Sequence, residues 1–114
     1  MSNNMESLKR QLGIKSGAVE CLLKENAFCR EEAQLLKLKL DKLIADGIPS
    51  DQWEVKDATR LYEESNQMIQ DSSSRLGSVV GELRVVLIAA KKEPHLAEDA
   101  ELLNAEGVLE EASL

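Results

Sequence analysis

Apolar residues recur every three and four positions along two long stretches of this chain, and a helix-breaking loop separates the stretches. Stepping alternately by four and three from Leu8 meets Leu8, Leu12, Lys15, Val19, Leu22, Asn26, Cys29, Ala33, Leu36, Leu40 and Leu43. Stepping by three and four from Val55 meets Val55, Ala58, Tyr62, Ser65, Ile69, Ser72, Leu76, Val79, Leu83, Val86 and Ala90. In each series nine of eleven residues are apolar. A seam repeating every 3.5 residues lets one helix lie along another with interlocked side chains. Short strands cannot carry so long a pattern.

The pattern predicts helices over about residues 5–45, 52–92 and 96–112, with residues 1–4 frayed. Gly47 suits a left-handed cap and Pro49 cannot continue a helix. Asp51 with Glu54 three residues later resembles a capping box, and Pro94 marks the second break. In the last segment Leu102, Ala105, Leu109 and Ala112 share a face. Helices of about 40 residues are roughly 60 Å long and one of about 17 is near 25 Å. Short connections force antiparallel neighbours. The chain therefore reads as one all-α domain over residues 1–114. Its expected form is an elongated antiparallel three-helix bundle, with two long helices and one shorter C-terminal helix.

Helix 3 then folds back over the C-terminal half of helix 2 and the N-terminal half of helix 1. The far end, covered by two helices, holds Leu35, Leu36, Leu38, Leu40, Leu43 and Ile44, more apolar residues than a two-stranded seam needs. Leu35 and Leu38 are either scattered surface leucines or a contact strip for a partner. Leu22 and Leu83 are expected to be buried in the seam. Gln70 to Ser74 is a run of poor helix formers followed by Gly77 and Gly81. Close helix approach is the preferred reading of these small residues, and a hinge is the other.

The net charge of -7 disfavours nucleic acid, which needs a basic footprint, and anionic membrane for the same reason. Aromatic content of 3% implies a core of Leu, Val, Ile and Ala with few deep pockets. The longest apolar run, Val85 to Ala90, is far short of the roughly 20 residues of a membrane span. The first ten residues lack the apolar stretch of an export signal, so the expected location is the cytosol. Cys21 and Cys29 lie about 12 Å apart along one helix, too far to pair, and are expected to be free thiols.

Little in the chain supports catalysis. His95 is the only histidine, so no histidine-based metal cluster can form, and it is expected at the surface. Gly13 with Gly17, and Gly77 with Gly81, have the spacing of close helix contacts. The carboxylates Glu98, Asp99, Glu101, Glu106, Glu110 and Glu111 fall largely on the solvent side of an amphipathic helix. No enzymatic activity and no cofactor are expected.

Ile14-Lys15-Ser16-Gly17-Ala18-Val19, with Leu22-Leu23-Lys24-Glu25 and Glu32-Ala33, resembles the first helix of the tubulin-binding cofactor A family. Glu64-Ser65-Asn66-Gln67-Met68-Ile69 with Asp71, Arg75 and Leu76 is similar to its second helix, and Ala105 with Val108-Leu109 to the end of its third. The similarity keeps its order over about residues 12–112. It implies a three-helix bundle acting as a chaperone, with neither enzymatic activity nor nucleotide. Its implied role is to hold β-tubulin after release from the cytosolic chaperonin, before heterodimer assembly, and to work indirectly with other tubulin-folding cofactors. It further implies a cytoplasmic, cytoskeleton-associated protein, monomeric or weakly dimeric. Polar residues that match the family motifs are the candidate partner contacts: Lys15, Lys24, Glu25, Glu64, Asp71 and Arg75. The alternative is a generic coiled-coil scaffold or oligomerisation module. Because the chain is itself acidic, recognition would rest on local Lys and Arg residues, polar hydrogen bonds and apolar contact.

Overall fold

The computed structural model describes residues 2–112. The chain forms α1 (Ser2–Ala45), α2 (Trp53–Lys91), a 3-10 turn (Pro94–Leu96) and α3 (Ala100–Ala112). Among the described residues there is no strand. Every residue of both seams is buried or half-buried, including the polar members Lys15, Asn26, Ser65 and Ser72. Leu83 is fully buried, as the seam requires. Leu22 is only half-buried, a correction to its expected place in the core.

Three backbone bonds close α1. Asp46 N–H donates to Lys42 O, Gly47 N–H to Ile44 O, and Ile48 N–H to Leu43 O. The last two form a Schellman cap, which needs a left-handed residue at its centre. Gly47 supplies it with φ of 80°. Pro49 then prevents the helix from resuming. The capping box expected at Asp51 is absent: α2 starts at Trp53, and Asp51 makes no side-chain hydrogen bond among the described residues.

The chain divides into two compact units. The first joins the chain through Leu23 with the chain from Ser74 onward. Its core holds Leu12 and Val19 of α1, Val80, Leu83, Val86, Leu87 and Ala90 of α2, Leu96, and Leu102, Ala105, Val108 and Leu109 of α3. Helix α3 thus packs on the N-terminal part of α1 and the C-terminal part of α2, as expected. The residues directly after seam positions Leu22, Val79 and Val86 are Leu23, Val80 and Leu87, all packed in this core. They form the second apolar stripe that a third helix requires.

The second unit, Lys24–Ser73, is a two-helix hairpin. Its buried seam residues are Cys29, Ala33, Val55, Ala58, Ser65 and Ser72. Here the positions that lie whole heptads from Leu23, Val80 and Leu87 are Arg30, Lys37, Thr59, Asn66 and Ser73. They are polar, with Ile44 the apolar exception, so this unit lacks the second apolar stripe on which α3 packs in the first.

Two further expectations need correction. Helix α3 begins at Ala100 rather than near residue 96. The 3-10 turn after Pro94 instead drives Leu96 into the core, at 3% exposure. Asp99 is the true N-cap, its Oδ1 accepting from the Glu101 N–H at 2.9 Å. The glycines do not mark close helix contacts either. A Cβ at Gly17, Gly77 or Gly81 would meet open space, and one at Gly13 would meet only the Glu101 carboxylate.

Candidate partner-binding surface

Among the described residues, no three His, Cys, Asp or Glu side chains are placed to hold a metal ion, and no helix is long and apolar enough to cross a membrane. His95 is exposed on the 3-10 turn, and both cysteines are free, Cys21 exposed and Cys29 buried.

Of the six candidate contacts, four lie in the hairpin unit and two in the other. Lys24, Glu25, Glu64 and Asp71 are all exposed there. Lys24 and Glu25 directly precede Asn26, whose side chain reaches Ser72 and Ser73, next to Asp71. These three candidates therefore share one stretch of the hairpin. Glu64 is seven residues before Asp71 on α2, two turns away on the same helix face. It is held by Arg60, whose Nη1 lies 2.9 Å from Glu64 Oε1 while Nη2 lies 2.7 Å from Asp57 Oδ1. Asp71 accepts a hydrogen bond from Gln67 Nε2 at 3.1 Å.

Lys15 and Arg75 belong to the three-helix unit. Lys15 is half-buried and its Nζ lies 3.0 Å from Glu82 Oε2, tying α1 to α2. It is a seam residue, so its stem packs while its ammonium reaches the rim. Arg75 is exposed. The same unit carries two more ion pairs onto the C-terminal region, Lys9–Asp99 at 3.0 Å and Lys91–Glu106 at 3.6 Å. The Lys9 ammonium and the Glu101 N–H hold the Asp99 carboxyl below the usual carboxylate range.

Two features of the hairpin unit went unrecognised in the sequence. One is the polar contact inside its seam, although Asn26 and Ser72 were visible as the polar members of two apolar series. Asn26 Nδ2 donates to Ser72 Oγ and Ser73 Oγ, both at 2.8 Å, and Asn26 Oδ1 accepts from Arg30 Nε at 2.8 Å. The other is the exposure of large apolar side chains outside the Leu35–Ile44 end of α1: Phe28, Trp53 and Met68. Phe28 and Trp53 are the chain's only Phe and Trp, and both lie off the seams, which was the available signal. An arrangement of exposed charge and unpaired apolar surface on rigid helices can bind another protein.

The family described as Tubulin binding cofactor A matches residues 7–109 of the chain. The rat protein named Tubulin-specific chaperone A is 31% identical over 105 residues, covering 92% of this chain and 93% of its own length. The human protein of the same name is 30% identical over the same shares. The solved structure of human tubulin chaperone cofactor A superposes with a TM-score of 0.79 at 30% identity, covering 94% of this chain and 99% of that one. Tubulin folding cofactor A from Arabidopsis thaliana superposes with a TM-score of 0.83, covering 95% of this chain and 97% of that one. At 22% identity this second likeness speaks for the fold alone.

Proposed function

Because the chain belongs to the tubulin binding cofactor A family, we propose that it is a tubulin-folding chaperone that binds β-tubulin. It holds the β-tubulin folding intermediate after release from the cytosolic chaperonin and before assembly of the α/β heterodimer. It acts in the cytoplasm in association with the cytoskeleton, and other tubulin-folding cofactors receive its cargo. The observation that carries this reading is the family match over residues 7–109, with named relatives aligned over nearly their whole lengths.

Binding on this reading is a surface event without bond chemistry. Lys24, Glu25, Glu64 and Asp71 are exposed charges of the hairpin unit, with Glu64 two turns before Asp71 along α2. A charge that becomes buried against a partner costs about 2–5 kcal/mol of binding when its counterpart is lost. The same side chains matter little to the fold, since exposed pairs contribute about 0–1 kcal/mol.

The experiment is capture of β-tubulin by the purified protein, followed by charge reversal at Lys24→Glu and Asp71→Lys. The parent should retain β-tubulin, and each variant should stay helical while binding at least tenfold more weakly. Failure of the parent to retain β-tubulin removes the reading and leaves a helical scaffold. Undiminished binding by both folded variants moves the contact away from this surface.

A further inference from the structure

The last third of α1 carries a surface that neither the fold nor the six candidate contacts use. Leu35 and Leu38 are 68% and 61% exposed. Lys39 and Lys42 follow at one-turn spacings from them, and the four side chains span about 100° of the helix surface. Phe28, also exposed, extends the same face two turns toward the N-terminus. Between Leu35 and Ala45 the chain has Lys37, Lys39 and Lys42 against a single carboxylate, Asp41. This excess of positive charge stands within a chain of net charge -7. Among the described residues Lys39 and Lys42 form no ion pair. Lys42 lies in the last turn of α1, where a cation also favours the helix C-terminus. That effect fades beyond one turn, so it does not account for Lys39. Burial does not account for the leucines.

We infer that Leu35, Leu38, Lys39 and Lys42 form a docking strip for an acidic amphipathic helix of a protein partner. Two apolar anchors on the partner, three or four residues apart, would cover the leucines. Carboxylates beside those anchors would meet the two ammonium groups, the complement that this local charge selects. An anionic membrane is the weaker candidate, because a surface binder needs a broad cationic face, whereas this strip is narrow and the rest of the chain repels anionic lipid.

The test uses the intact protein and a stapled synthetic helix with Leu at every third and fourth position and Glu elsewhere. Saturable binding should shift the backbone amide signals of residues 35–42. Leu35→Ser/Leu38→Ser should weaken it at least tenfold, and Lys39→Gln/Lys42→Gln should weaken it and reduce its salt dependence. Val85→Ser/Ile88→Ser is the matched control, with the same spacing and with 68% and 59% exposure in the other unit. It should bind as the parent does. The inference is overturned if the peptide does not bind, if Lys in place of Glu binds as well, or if the control loses as much. Binding to phosphatidylserine vesicles without binding to the peptide also overturns it. Displacement of the peptide by β-tubulin would assign the strip to the proposed cargo. Peptide binding by a parent that retains no β-tubulin would leave the strip standing and remove the tubulin reading.

Discussion

The Asn26 amide donates to the Ser72 hydroxyl at 2.8 Å, joining the two helices of the hairpin unit through polar members of both seams. Ser72 is fully buried, and its own hydroxyl passes a hydrogen bond on to Ile69 O at 3.1 Å. A polar side chain at one seam position pairs well in only one register, so it specifies alignment where a run of leucines would tolerate slippage. Asn26 and Ser72 are equally distant along the sequence from the turn-side ends of α1 and α2.

Asn26→Ala should therefore cost about 1–3 kcal/mol, the scale of leaving a buried polar group without its partner. Asn26→Leu combined with Ser72→Ala replaces both partners by apolar groups and should recover most of that loss. Urea denaturation of the single and double variants measures both. A double variant as unstable as the single one would show that the contact adds nothing beyond packing.

Seam burial separates two leucines that look equivalent in the sequence. Leu83 is at 0% exposure within the core of the three-helix unit, and Leu83→Ala should cost about 2–5 kcal/mol. Leu22 is half-buried, and Leu22→Ala should cost clearly less. Equal losses in chemical denaturation would contradict this difference in packing.

Both seams were legible because burial against one neighbour writes a 3.5-residue period into the chain, and no seam residue proved exposed. The reach of α3 was legible from Leu102, Ala105 and Leu109, but its start was not. Pro94 announces a break without saying how long it lasts, and the decisive signal was Asp99 acting as a cap. The glycine spacings misled because spacing alone does not say which way a helix face points. Of the candidate contacts, the Arg60–Glu64 pair could be read from its four-residue spacing. The Lys15–Glu82 pair could not, since its partners are 67 residues apart and depend on how α1 and α2 align.

Glycines at different backbone angles should respond oppositely to the same change. Gly47 has φ of 80°, and a methyl group there would meet open space, so Gly47→Ala meets only backbone strain, about 1–2 kcal/mol. Gly77 and Gly81 lie inside α2 with equally open surroundings. Gly77→Ala and Gly81→Ala should each stabilise by about 0.8–1 kcal/mol through helix propensity. Thermal melts of the three variants test the contrast. Destabilisation by Ala at position 77 or 81 would mean that another group approaches there.

Acid should loosen α3 through Asp99. Its carboxylate pairs with Lys9 and caps the helix at the Glu101 N–H, and these two contacts hold its pKa below the ordinary value. An unfolded chain binds this proton at the usual aspartate pKa of about 3.9. The contribution to stability is therefore fully present above that pH and is lost as pH falls through the lower, folded-state value. Hydrogen exchange over residues 100–112 should quicken across this window. Asp99→Asn can still cap but cannot titrate or attract Lys9, so its exchange should respond less to pH. Added salt should move the Asp99 pKa back toward the ordinary value by screening the exposed Lys9 ammonium. A carboxyl carbon at Asp99 that titrates at or above the ordinary aspartate value, followed by NMR, would show that neither contact persists in solution.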